Sequence, residues 1–331
     1  MRALATLVAV FALAGCGVAN SPAGLDIPAP GASEAAELVL PTTSPSTQGC
    51  GNSQAVQIGT SEKFVNYGGV DRRYLVHIPD GYQAGVPTPV VVTLHGLGSN
   101  AAQQLVLTGI TANADLHDYI AIAPEATNGV WSLPLDDGSP VTSTEFGYLD
   151  AVLADVGNSL CVDPARQYAS GMSMGSALSL ALACSPNRQF AAFGGVGASF
   201  YRSVCDATPP APLIYFHGTA DPIVPHAGGI SRGVPMASVP TVMADWAKHN
   251  GCANSPATEQ IDDVVFSEWT QCKLNADVDY YEVVDGGHTW PGASEFVADA
   301  LEPRFGETTT TVNATELMWQ FFSRYTLPTT S

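Results

Sequence analysis

The chain reads as an α/β fold: a mostly parallel central sheet with helices on both faces. Three observations predict it. Apolar runs of strand length alternate along the chain with stretches of helical periodicity. The runs PVVVTL (89–94) and YIAIA (119–123) are apolar throughout, as in strands buried on both faces. Hydrophobic residues make up 46% of 331 residues, enough to bury a sizeable core.

The elements follow in order. RYLVHI (73–78) alternates like a half-buried strand. PVVVTL is the first fully buried strand and runs into His95-Gly96-Leu97-Gly98, and YIAIA is the next. Leu149, Val152, Leu153, Val156 and Leu160 fall at helical spacing, so an amphipathic helix starts near Glu145. Gln167 to Ser170 is a short strand, and an Ala/Leu-rich helix spans Ser173 to about Cys184. Further strands are expected at Phe190 to Val196, at PLIYFH (212–217) and at Val278 to Val284. Val242, Met243 and Trp246 mark a helix ending near Gly251. Asn313, with Glu316 three residues on, caps a closing helix that runs to Tyr325.

The N-terminus speaks of export. Arg2 precedes an apolar run from Ala3 to Ala14 that ends in Leu13-Ala14-Gly15-Cys16. The run is short for a permanent membrane span and has the flanks of a signal peptide. Small residues directly before Cys16 form the lipobox of bacterial lipoproteins, so residues 1–15 are expected to be removed and Cys16 lipidated. Residues 16–49 are rich in Pro, Ser, Thr, Ala and Gly and read as a flexible tether. The globular domain is expected to fill 50–331. The protein would be exported, anchored by lipid at the bacterial cell surface or envelope, or released outside the cell.

With Cys16 set aside, six cysteines remain: Cys50, Cys161, Cys184, Cys205, Cys252 and Cys272. An even number in an exported chain favours disulfides, with fifteen pairings open. Cys252 with Cys272, bracketing a polar loop segment, is the first proposal. Cys184 with Cys205 is the second, which leaves Cys50 with Cys161. No spacing resembles a metal site, so no metal and no other cofactor is expected. The formal net charge of −19 repels phosphate backbones and excludes nucleic acid as a partner. The lipid on Cys16 is the one membrane contact expected, and the protein is expected to be a monomer.

Gly171-x-Ser173-x-Gly175 has the pattern of a sharp strand-to-helix turn that lifts a serine hydroxyl out of the sheet. The motif alone is weak, but QYAS before it reads as strand and SALSLALA after it as helix. A serine nucleophile needs a base, and the base an orienting acid. Asp221 lies just past PLIYFH, and His288 just past VDYYEVV, in the chain order Ser, Asp, His. Each would stand at a strand's carboxyl end, where sites on such sheets gather. Taken singly, Asp221-Pro222 also suits a turn, and His288 an ordinary loop. An oxyanion needs backbone donors; the N–H groups of Met174 and Leu97 are the candidates. His95 reads as a structural residue of its loop, and His217 as a packing and loop-bracing residue. Trp290 and Trp131 are candidates for substrate-pocket walls.

Several blocks in order carry a family resemblance: YLVHIPDGY, VVVTLHGLGSNA, DPARQYASGMSMGSAL, YFHGTADPIVPHAGG, W-x-x-x-NGC and GGHTWPG. Over residues 60–325 the chain resembles the esterase family of polyhydroxybutyrate depolymerases and feruloyl esterases. The resemblance implies an α/β-hydrolase fold and hydrolysis of carboxylic esters through an acyl-enzyme. It places Ser173, Asp221 and His288 on the family's triad blocks, and Cys252 and Cys272 on a frequent disulfide. Met174 and Ser176 depart from the usual residues of the elbow, and LHGLG lacks the Cys-x-Gln that often follows the HG of depolymerases. No separate polymer-binding part follows the catalytic blocks, which favours small or oligomeric esters. Two other functions remain open: a non-catalytic binding lipoprotein on a hydrolase shell, and a serine peptidase of the same fold.

Overall fold

The computed structural model describes residues 42–44, 46–52, 56–134, 141–185, 189–199, 205, 208–231, 233–253 and 255–329. The expected signal peptide, Cys16 and most of the expected tether lie outside the described residues. No helix among the described residues is long and apolar enough to cross a membrane.

Ten strands form one sheet: β1 (Gly59–Tyr67), β2 (Val70–Ile78), β3 (Thr88–Leu94), β4 (Ile120–Pro124), β5 (Val162–Gly171), β6 (Ala192–Val196), β7 (Leu213–Gly218), β10 (Ala257–Ile261), β11 (Val264–Trp269) and β12 (Val278–Val283). Their spatial order is β1-β2-β4-β3-β5-β6-β7-β12-β11-β10. The six central strands from β4 to β12 run parallel, and both flanks are antiparallel. A separate two-stranded ribbon joins β8 (Gly229–Ser231) to β9 (Val234–Met236).

The fully apolar strands serve two cores at once. Val90 and Val92 of β3 join the cluster that holds Leu149 and Val152 of α3 (Thr144–Ser159), Leu178 of α4 (Met174–Ala183), and Val242 and Trp246 of α5 (Val239–His249). Val91, between them, points to the opposite face. There it joins Leu105 of α1 (Ala101–Thr108), Ala114 of α2 (Ile110–His117), and Met318 and Phe322 of α7 (Ala314–Phe322).

The expected strands and helices all form, with ends shifted by a few residues. Three disulfides link Cys50–Cys161, Cys184–Cys205 and Cys252–Cys272. The segment between Cys252 and Cys272 is a β-hairpin, β10 and β11, rather than the polar loop expected there. The ordered domain also begins before residue 50. The Thr47 hydroxyl donates to Leu160 O at 2.8 Å, and the Thr43 N–H donates to Pro328 O at 2.8 Å. The last residues assigned to the tether therefore belong to the folded body.

Candidate active site

Parallel strands bring their following loops to one end of the sheet. Leu97 follows β3, Ser173 follows β5, Asp221 follows β7, and His288 follows β12 in a loop that leads to α6 (Glu295–Phe305). The four positions predicted from sequence thus share one edge.

Ser173 has φ 54° and ψ −120°, outside the regions that residues with a side chain favour. Such a conformation costs about 1–3 kcal/mol and persists only where its surroundings enforce it. Both flanking glycines are required by space. A Cβ on Gly171 would lie 2.3 Å from the Gly175 carbonyl carbon, and one on Gly175 would lie 2.1 Å from Leu94 O. Backbone bonds hold the turn between neighbouring strands: Met172 N–H to Leu94 O at 3.0 Å, and Ser173 N–H to Val196 O at 2.8 Å. Ser173 itself is only half buried.

Asp221 is buried, and each of its oxygens is engaged. Oδ1 accepts the N–H groups of Ile223 at 2.7 Å and Val224 at 2.8 Å. Oδ2 accepts from His288 Nδ1 at 2.6 Å. Asp221-Pro222 therefore does start a turn, through one oxygen, while the other orients a histidine. Because a carboxylate only accepts, Nδ1 of His288 is the donor in this bond. The His288 backbone donates to Phe305 O at 2.6 Å, and the ring lies against Gly197, where a Cβ would come within 3.0 Å of Cε1. Gly197 adjoins Val196, which holds the Ser173 backbone, so one short segment locates both Ser173 and His288. Gly218 lets this loop pass the Asp221 loop: a Cβ there would sit 2.1 Å from Gly286 O.

The loop after β3 approaches the serine from the other side. A Cβ on Gly96 would lie 3.4 Å from the Cβ of Ser173. Among the described residues, the Leu97 and Met174 N–H groups donate to no acceptor, as an oxyanion hole requires. His95 is fully buried and is spent inside this loop, as expected. Its Nδ1 bonds the Gly96 carbonyl at 2.8 Å and its Nε2 accepts the Ala126 N–H at 3.0 Å. Burial pushes its pKa down, so it stays neutral.

Two expectations need correcting. Trp131 and Trp290 are 1% and 2% exposed and cannot wall an open pocket. The Trp131 indole donates to His95 O at 2.8 Å and packs tilted against the His95 ring, centroids 4.8 Å apart, bracing the β3 loop from within. The Trp290 indole donates to Thr315 Oγ1 at 3.0 Å and packs with α7. Loop position predicted exposure for both; the satisfied indole N–H groups explain why they are buried instead. Unanticipated members of the site are Gly197, Ile223 and Val224. Only Asp-Pro, a turn starter, hinted at the two backbone donors.

Among the described residues, no group of three or more His, Cys, Asp or Glu side chains could hold a metal ion. What the site offers is a strained, half-buried serine, an imidazole oriented by a buried carboxylate, and two backbone donors with no acceptor among the described residues.

No family model matches the chain. Among curated proteins it is 25% identical over 292 residues to feruloyl esterase C of Emericella nidulans, covering 85% of this chain and 93% of that one. It is also 25% identical over 287 residues to a probable feruloyl esterase C of Aspergillus niger, covering 83% and 90%. Among solved structures it resembles an acetyl xylan esterase from Aspergillus awamori, with a TM-score of 0.51 at 15% identity over 69% of this chain and 94% of that one. A thermostable esterase matches with a TM-score of 0.51 at 14% identity, over 81% and 63%. The chain has the α/β-hydrolase fold and is similar in sequence to the feruloyl esterases.

Proposed function

We propose that the protein hydrolyses carboxylic esters, with Ser173 as nucleophile, His288 as base and Asp221 as the orienting acid. The observation that carries this is the 2.6 Å bond from His288 Nδ1 to Asp221 Oδ2, made by a ring seated at Gly197, next to the Val196 carbonyl that holds Ser173 at φ 54°. Ser173 Oγ attacks the ester carbonyl and its proton passes to His288 Nε2. The oxyanion that forms is held by the N–H groups of Leu97 and Met174. The alcohol leaves with the proton from His288, and the acyl group stays on Ser173. Water then attacks the acyl-enzyme, again giving its proton to His288, and releases the acid and the free serine.

The substrate we favour is a small or oligomeric ester with an apolar or aromatic acyl group, in keeping with the feruloyl esterase relatives. Leu97 and Val130, on loops after β3 and β4, and Ile230, in β8, present exposed apolar side chains. A hydroxycinnamate ester and a short p-nitrophenyl ester should both be cleaved by the purified domain. Ser173→Ala should lower kcat by about 10⁴-fold or more. Retention of full activity in that variant would remove the serine mechanism.

We further propose export and lipidation at Cys16, supported by the lipobox and by three disulfides that fit an oxidising compartment. In a bacterial host, Cys16→Ser should abolish incorporation of a labelled fatty acid. Equal labelling of the variant would sink the anchor.

A further inference from the structure

We propose that His217 is a positioning residue for the acid of the site: bonded at both ring nitrogens, it fixes the Val224 peptide that holds one oxygen of Asp221, so the other stays aimed at His288. This rests on the assignment of Ser173, His288 and Asp221 above.

His217 is the next-to-last residue of β7 and its side chain is wholly buried. A parallel strand at this depth ordinarily carries an apolar side chain there. A polar ring in its place is costly unless every polar atom finds a partner. Both do. Nε2 lies 2.9 Å from Val224 O, which can only accept, so Nε2 carries the proton. Nδ1 therefore accepts, and its donor is the Tyr215 hydroxyl at 2.9 Å. Tyr215 in turn takes a hydrogen bond from Ser199. The tautomer and the ring plane are thus fixed.

The ring faces the turn that presents Asp221. Its Nε2–H grips the Val224 carbonyl, while the Val224 N–H grips Asp221 Oδ1 at 2.8 Å. The same Nε2 lies 3.4 Å from Asp221 Oδ2, the oxygen that bonds His288. The positive end of the N–H dipole therefore faces the carboxylate. The other titratable groups near the ring are His288 and His226, whose ring centroid is 5.9 Å away. Burial lowers the pKa of His217 to about 4, so it stays uncharged near neutrality. A cation here would pair with Asp221 and compete with His288 for Oδ2.

The test is a mutant cycle read with p-nitrophenyl acetate. His217→Leu should lower kcat by about 10–100-fold, as loss of an outer partner of a catalytic group does, with KM nearly unchanged. His217→Gln, which keeps an N–H near the position of Nε2, should recover most of that loss. In an Asp221→Ala background, His217→Leu should change kcat by less than about twofold, because its route of action is gone. Tyr215→Phe, which removes the hydroxyl that pins the ring, should lower kcat even if the Leu variant does not fold. Wild-type kcat in both His217→Leu and Tyr215→Phe would overturn the proposal. So would an equal loss from His217→Leu with and without Asp221. Full activity in Asp221→Ala alone would show instead that the site assignment itself had failed.

Discussion

At the scale of residues, the chemistry concentrates in a few side chains whose neighbours leave them no choice. Ser173 is strained, Asp221 is saturated with donors, and His95 and His217 are buried as neutral rings. The neutral histidines set an acid limit. Both have folded pKa values below the ordinary one, for His217 about 4 against 6.5. As pH falls below about 6.5 the unfolded chain takes up protons that the folded one refuses, so stability is lost on the way down to about pH 4. The thermal midpoint should therefore drop steeply over that range, and His217→Gln should flatten the drop. Parallel curves for the two proteins would contradict it. That Ser173, Asp221 and His288 would stand past strand ends on one edge of the sheet was legible in sequence, because chain order, glycine spacing and strand ends constrain them jointly. The tryptophans were misread because a loop position carries no information about which way a side chain turns. His217 was read as a brace; that it braces Asp221 through Val224 needed coordinates.

At the scale of elements, the parallel strands were legible because burial on both faces leaves uninterrupted apolar runs. The edges were not. β1 has no buried position and β10 is exposed along its whole length, so neither shows a hydrophobic period. The turn joining β10 to β11 is Asp262-Asp263, with Asp262 at φ 49°, and lacks the glycine that usually announces a hairpin. α1 and α2 are eight residues each and break at Gly109, where φ is 62°, too short to establish a period. α7 was legible by its cap: Asn313 Oδ1 accepts the Glu316 N–H at 3.0 Å. That helix packs Met318, Phe321 and Phe322 on the sheet. Asn313→Ala should cost about 1 kcal/mol, read as a lower urea midpoint at unchanged slope. No shift in the midpoint would mean that packing alone holds the helix end.

At the scale of the whole molecule, the described residues form one body, held by three disulfides and a ten-stranded sheet, whose candidate site is assembled from distant stretches of chain. Cys50–Cys161 spans 111 residues and ties the segment before β1 to the start of β5. Closing a loop of that length confines the unfolded chain strongly, and replacing both cysteines by serine should cost about 2–5 kcal/mol. Activity at low temperature should survive, since neither cysteine adjoins Ser173, Asp221 or His288 in the sheet. An unchanged thermal midpoint would show that the link confines little. The two ends of the body also meet: Thr43 forms a bridge with Thr329, and its N–H reaches Pro328 O. Topologically the domain is almost a ring. Joining those ends by a short linker and opening the chain at Asp262-Asp263, on the exposed hairpin, would reorder the gene without reordering the sheet. Removing Pro328 and Thr329 would release Thr43 as well, so trimming one end of the described body loosens the other.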